Sequence, residues 1–248
     1  MRLILFNRTV RISWIGLGIY VLLMLLLCSL GMWQLGRSEQ KKQLLQQQQI
    51  ALQAEGIDLN RHENLDIEVL RYHNVTVSGH YDTEHQFLLD NQIVDGKNGY
   101  FVMTPFFIDG QKMAVLVNRG WLPLGQDRNT LPTVEVQTSA AQISGRINRF
   151  PGVGFKLKGA EIPTDHWPSV VQVIDSHVLA AKLSYPLVDF QLELDSSIAD
   201  GYKREWKIVT PIPPEKHLAY AVQWFGLALT LTVLFIWISI KNRSEHTA

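Results

Sequence analysis

The chain of 248 residues carries 23 acidic and 23 basic side chains, so its formal charge is zero. That balance excludes the basic field on which nucleic-acid partners depend. The single cysteine, Cys28, falls in an apolar stretch, which leaves no intrachain disulfide and a fold that must be stabilised by its core.

Two stretches contain no Asp, Glu, Lys or Arg: Ile12 to Leu35, 24 residues, and Leu218 to Ile240, 23 residues. At about 1.5 Å of rise per residue each reaches roughly 35 Å, enough for a hydrocarbon core of about 30 Å. The first ends in Leu30-Gly31-Met32-Trp33-Gln34-Leu35 and lacks the small-residue cleavage site of a signal peptide, so it reads as an uncleaved anchor. Arg2, Arg8 and Arg11 precede the first stretch, and Lys241 and Arg243 follow the second. Flanking cations mark the cytoplasmic side, so both ends are expected in the cytoplasm and the middle outside it. The expected organisation is a cytoplasmic N-terminus (1–11), a first span (12–35), an extracytoplasmic domain (36–217), a second span (218–240) and a cytoplasmic C-terminus (241–248). With only 11 residues before the first span, a transit peptide has little room, and a bacterial inner (plasma) membrane is the simplest home.

Arg37 to Glu55 is rich in helix formers and free of Gly and Pro, and predicts a helical extension of the first span. After Gly56 the pattern changes to strands. Tyr72 to Tyr81 and Gln86 to Leu89 are candidates, and Tyr100 to Trp121 predicts a hairpin that turns at Asp109-Gly110, with Pro105 at an edge or bulge. Val134 to Ile147, Val170 to Ile174, Asp189 to Leu194 and Tyr202 to Val209 predict further strands, and Asp175 caps a short helix over Ser176 to Leu183. The fold class is therefore membrane α+β: two terminal spans flank a mainly antiparallel β domain, flat or partly closed into a barrel.

No C-x-x-C, H-E-x-x-H, G-x-S-x-G or P-loop pattern occurs, and an enzyme is not expected. His73, His80 and His85 either gather at a metal or remain ordinary strand histidines; their ligand-poor neighbours favour the second reading. His217 stands apart, where Pro211-Ile212-Pro213-Pro214-Glu215-Lys216 meets the second apolar stretch. Tyr220, Ala221 and Trp224 share its helix face, three, four and seven residues on. An imidazole between flat aromatics suits a planar ligand such as haem; it equally suits an interfacial belt in which the ring bonds headgroups or water. At the exit of the first span, Arg37 and Lys41 share a face near Trp33. They fit a ligand's two carboxylates, or merely snorkel to the headgroups.

These residues resemble the Surfeit locus protein 1 family of cytochrome c oxidase assembly factors. The resemblance lies in Gly31-Met32-Trp33-Gln34-Leu35-Gly36-Arg37 with Lys41, in Val117-Asn118-Arg119-Gly120-Trp121-Leu122-Pro123, and in His217-Leu218-Ala219-Tyr220-Ala221-Val222-Gln223-Trp224-Phe225. Weaker echoes are Arg71-Tyr72, Gly79-His80-Tyr81 and Gly99-Tyr100. One departure is Gln40, where the family often has Trp.

The resemblance implies a factor that binds haem a transiently and helps insert it into the oxidase catalytic subunit, with His217 as the ligand to the haem iron. Tyr220, Trp224, Trp33, Arg37 and Lys41 complete the expected haem site. Implied partners are the catalytic subunit, haem A synthase and membrane lipid. Asn118, Arg119, Gly120 and Trp121 form an expected structural corner, with Arg119 as a contact to partner or membrane. The alternative is a haem-independent scaffold that holds nascent oxidase subunits.

Overall fold

The computed structural model describes residues 2–5, 8–11, 13–62, 65–125, 130–155, 157–206 and 212–241, with backbone alone for 2–5, 8–11 and 241. In chain order the elements are β1 (Arg2–Leu5), β2 (Arg8–Arg11), α1 (Trp14–Gln53), β3 (Ile57–Asp58), α2 (Ile67–Leu70), β4 (Asn74–Tyr81), β5 (Phe87–Val94), β6 (Lys97–Ile108), β7 (Ala114–Pro123), β8 (Ala140–Asn148), β9 (Ser169–Val171), α3 (Ser176–Leu183), β10 (Leu187–Leu194) and α4 (Pro214–Lys241). They form two compact units, Met1–Gln47 with Ile208–Ala248, and Gln48–Lys207.

The first unit is an antiparallel helix pair. α1 runs unbroken for 40 residues, about 60 Å, so the expected extension is continuous with the expected span. Both helices are long and apolar enough to cross a membrane. Their apolar side chains are displayed outward: Ile15, Leu22 and Leu25 on α1, and Val222, Leu229 and Trp237 on α4, are all exposed. An apolar surface of this extent suits lipid rather than water. Close contacts along the pair include three near its middle and far end. Tyr20 stacks on Phe235 with ring centroids 4.4 Å apart, and its hydroxyl lies 3.1 Å from the Thr232 hydroxyl. Gly31 lies so close to Phe225 that a Cβ there would sit 2.6 Å from the ring. Small residues permit such close approach, and hydroxyl pairs add to it in lipid. The flanking side chains Arg2, Arg8, Arg11, Lys241 and Arg243, together with Pro211, lie outside the described residues.

The second unit is built on one eight-stranded sheet in the order β3-β4-β8-β10-β7-β6-β5-β9. β4 also pairs with β6, so β4, β8, β10, β7 and β6 close into a ring. The pairing is mixed. Antiparallel ladders dominate, but β10 lies parallel to β7, β9 to β5 and β3 to β4. β7 is buried on both faces: Val115 and Val117 join Val77, Ile143 and Leu192 in one cluster, while Ala114 and Leu116 join Phe87, Leu179 and Leu183 in another. Strand alternation sends neighbours to opposite sides, which explains the continuous apolar run Ala114-Val115-Leu116-Val117.

The expected hairpin is present as β6 and β7, with Gly110 at φ +82 in the turn. Pro105 is neither at an edge nor in a bulge. It is buried where β6 exchanges one partner for another: β5 pairs up to Met103 and β4 begins at Phe106. The Pro105 carbonyl accepts from the Asp82 amide (2.9 Å) on that side, where no N–H is required of the proline. The strand expected from Val134 begins only at Ala140, because the Val134 and Glu135 carbonyls serve a side-chain donor instead of a ladder. In place of a strand over Tyr202 to Val209 there is a single bridge, Lys203 to Trp121, and residues 207–209 lie outside the described residues. The cap on α3 is as expected: Asp175 accepts from the amides of His177 (3.1 Å) and Val178 (3.3 Å).

Just beyond β4, Asp82 gathers four donors. Its carboxylate accepts from the Tyr185 hydroxyl (2.7 Å), from His85 Nδ1 (2.8 Å), and from the amides of Glu84 and His85. Burial acts to raise its pKa, but these hydrogen bonds outweigh burial and hold the carboxyl below the usual carboxylate range. A depressed folded-state pKa contributes stability above the unfolded value of about 3.9, and that stability is lost as pH falls through the folded value. The thermal midpoint of the wild type is therefore expected to fall more steeply than that of Asp82→Asn between about pH 5 and pH 3, as followed by circular dichroism in detergent. Equal slopes would exclude this role.

Candidate functional site

α4 begins at Pro214, a position whose missing N–H costs nothing at a helix start, so His217 lies in its first turn. The Ser38 hydroxyl of α1 donates to the Pro214 carbonyl at 2.9 Å and pins that turn. One helical turn earlier on the same face of α1, Gln34 meets His217: Oε1 lies 2.7 Å from Nδ1, and both side chains are buried, at 9% and 8% exposure. An amide oxygen only accepts, so Nδ1 is the donor in this pair, and in the neutral ring the lone pair is then on Nε2.

The side chains that the sequence singled out are divided by this geometry. Trp33 (58% exposed) and Arg37 lie on the open side of α1, away from α4, and Arg37 donates to Gln40 Oε1 at 3.2 Å. Lys41 is half-buried. On α4, Tyr220 is about half exposed, whereas Trp224 is half-buried with its indole Nε1 enclosed and lacking an acceptor among the described residues. His217 is thus brought to Gln34 rather than to Trp33 or Arg37. The contacting row on α1 is Gly31, Gln34 and Ser38, and its signal in the sequence is the recurrence of small and polar residues at helical spacing inside an apolar helix.

The Asn118 to Trp121 corner belongs to the second unit. Phe101 pairs with Trp121 and Met103 with Asn118, so β7 carries one extra residue opposite Val102. The bulge is made by Gly120 at φ +111. A Cβ at Gly120 would lie 2.8 Å from the Lys203 carbonyl oxygen, so this position needs glycine twice over. The bulge turns Arg119 inward. Its side chain is 1% exposed and donates from Nε to the Asp200 carbonyl (2.7 Å), from Nη1 to Gln86 Oε1 (2.9 Å) and the Val134 carbonyl (3.2 Å), and from Nη2 to the Glu135 carbonyl (2.8 Å). Burial pulls the Arg119 pKa down, and burial also pushes the neighbouring Tyr81 hydroxyl up to about 12. With its guanidinium enclosed, Arg119 offers no surface for the partner or membrane contact expected of it. Trp121 fills the core and donates Nε1 to the Gln92 carbonyl (2.9 Å), and Asn118 links Gln191 Oε1 to the Gly120 amide.

A second buried arginine, without a local signal in the sequence, forms an ion pair on the ring: Arg146 reaches Glu193 Oε2 from Nε (2.8 Å) and Nη2 (2.5 Å), and Asn148 holds the other carboxylate oxygen. The three strand-region histidines do not converge. His80 stacks on Phe107, His85 bonds Asp82 beside Trp167, and His73 Nδ1 is buried without a partner among the described residues. Among the described residues no group of three His, Cys, Asp or Glu side chains is placed to hold a metal ion.

Comparison with known proteins agrees with the sequence motifs. The SURF1 family profile matches residues 21–229. A SURF1-like protein of Rickettsia felis is 28% identical over 222 residues, covering 85% of this chain and 91% of its own. Surfeit locus protein 1 of Arabidopsis thaliana is 32% identical over 256 residues, covering 83% and 72%. Surfeit locus protein 1 of Gallus gallus is 29% identical over 246 residues, covering 91% and 74%.

Proposed function

The chain belongs to the SURF1 family, and from that premise we propose that it assists cytochrome c oxidase assembly by receiving haem a at its helix pair and passing it to the catalytic subunit. Membership supports the role in oxidase assembly in general; the haem reading rests on His217. An imidazole buried in lipid-suited surroundings, with Nδ1 committed to Gln34 and Nε2 carrying the lone pair, is in the form that binds iron. When bound, haem a supplies an iron that takes an axial nitrogen, and a flat macrocycle with two carboxylates. The residue types present fit that cargo, with Trp33 and Arg37 on the open side of α1 rather than beside His217. His217 offers the nitrogen and Tyr220 an exposed aromatic face. The Trp224 Nε1 is a donor in need of an acceptor, and Arg37 and Lys41 are cations for carboxylates. Trp33 offers a further exposed ring. The protein performs no reaction of its own in this reading.

In this reading the protein lies in the bacterial inner membrane with both termini cytoplasmic and the β unit on the outer side, supported by two helices long and apolar enough to cross a membrane. Its partners are the oxidase catalytic subunit, haem A synthase as the source of the cargo, and lipid. The rival reading, a scaffold that never touches haem, draws support from the low exposure of His217, since a buried histidine that has found a partner is a common structural element. Purification from cells that make haem A separates the two. A Soret band that falls about tenfold or more in His217→Ala is the expected result. A protein without Soret absorption, or a His217→Ala form that keeps its haem, would leave the scaffold reading standing.

A further inference from the structure

Outside the backbone and the aromatic stack, the helix pair is joined by few polar contacts, and one of them is spent on the imidazole. Gln34 and His217 are both buried, and their 2.7 Å contact sets the Gln34 amide oxygen against the Nδ1 of the ring. Ser38, one turn further along α1, holds the backbone of the same α4 turn, so the position of α4 does not depend on Gln34 alone. Gln34 therefore does something that Ser38 does not. It bonds the ring of His217 itself, and with Oε1 turned toward Nδ1 it suits the Nδ1–H tautomer.

The choice of acceptor matters as well. Histidines that bind metals usually donate their second nitrogen to a carboxylate, a backbone carbonyl or water, and a carboxylate raises the basicity of the ring most. An amide oxygen is neutral and withdraws the proton weakly. It orients the ring without strengthening the axial bond. A resident cofactor calls for a strong bond, but cargo that must leave calls for a correctly aimed and weak one.

We propose that Gln34 is a positioning residue: it holds His217 as the Nδ1–H tautomer with Nε2 presented for axial ligation, and as a neutral acceptor it keeps that bond weak enough for release. This deepens the haem reading of His217 and rests on it for the second half only. The first half concerns the protein without haem.

The test uses the full-length chain in detergent. Nitrogen-15 spectra of histidine-labelled, haem-free protein are expected to report the Nδ1–H tautomer at His217 in the wild type and a mixture in Gln34→Leu. In protein loaded with haem a, Gln34→Leu is expected to lose about tenfold or more in occupancy. Ser38→Ala, which removes the other side-chain bond to this turn, is expected to keep both the tautomer and the occupancy. Gln34→Glu is expected to raise the iron–histidine stretching frequency in Raman spectra and to slow haem transfer to apomyoglobin several-fold. An unchanged tautomer in Gln34→Leu overturns the positioning role, and equal losses in Gln34→Leu and Ser38→Ala reduce Gln34 to helix packing. Unaltered release from Gln34→Glu overturns the weak-bond role. Haem retained by His217→Ala instead defeats the ligation reading, and the tautomer result still stands or falls by itself.

Discussion

Replacement of Arg119 by Met is expected to lower the thermal midpoint of the chain in detergent by about 10 °C, from a loss of about 3–5 kcal/mol in a unit of this size. Two opposing effects decide the sign. Burial of a guanidinium is costly, and its depressed pKa reflects that cost, so removal of the charge relieves something. Where both partners of a buried pair are exchanged for apolar groups, the exchange is often neutral. Here it cannot be. Three of the acceptors are the backbone carbonyls of Asp200, Val134 and Glu135, which no side-chain substitution removes. Among the described residues, only Gln86 Oε1 retains another donor, the Thr104 hydroxyl at 3.1 Å. Each orphaned carbonyl costs on the order of 1–3 kcal/mol, and the sum exceeds the relief. Arg119→Lys, with one ammonium for acceptors spread around a planar fork, is expected to fall between the two. A midpoint for Arg119→Met within about 2 °C of wild type would show that the carbonyls find other donors.

The second large effect is expected at Gly79, on the seam that closes the ring. β4 and β6 pair over only three residues, Gly79 to Tyr81 against Phe106 to Ile108. A Cβ on Gly79 would lie 1.9 Å from the Phe107 carbonyl oxygen and 2.7 Å from the Phe106 ring. The first neighbour is backbone, and it cannot yield without carrying β6 away. Gly79→Ala is therefore expected to open the seam and cost about 3 kcal/mol or more. Gly96→Ala serves as the contrast. Gly96 has φ +74 but open space around it, so the cost there is conformational, about 1 kcal/mol. Hydrogen exchange by mass spectrometry distinguishes the two: peptides covering 78–82 and 105–109, which contain the Asp82 and Asp109 amides bonded across the seam, should lose protection in Gly79→Ala and keep it in Gly96→Ala. Retained protection in both would mean that the ring does not depend on this glycine.

What could be read from the chain beforehand follows the range of the physics involved. The apolar helices, the Asp109-Gly110 turn and the Asp175 cap depend on residues a few positions apart, and their patterns are local. The parallel alignment of β10 with β7 is not local, since nothing in either strand names its neighbour. Ring closure is legible only in hindsight, because Gly79 looks like any glycine in a strand until Phe107 is placed against it. The Arg119 corner shows a different failure. Arginine is seldom fully buried, so a surface role was the reasonable expectation, and only the extra residue in β7 reveals why it turns inward. At the helix pair, attention went to Trp33 and Arg37 because they carry conspicuous chemistry. The face of α1 that meets α4 is set by Gly31, Gln34 and Ser38, inconspicuous one by one and informative through their spacing.

The distance along the chain between Gln34 and His217, 183 residues, also has a consequence for timing. The ribosome delivers Gln34 early and His217 only after the whole β unit has been made. A truncated product of any intermediate length would carry α1, and even a complete ring, but no imidazole opposite Gln34. Chains that stop short of residue 217 therefore lack the Gln34–His217 contact altogether, and it becomes possible in one step once α4 begins.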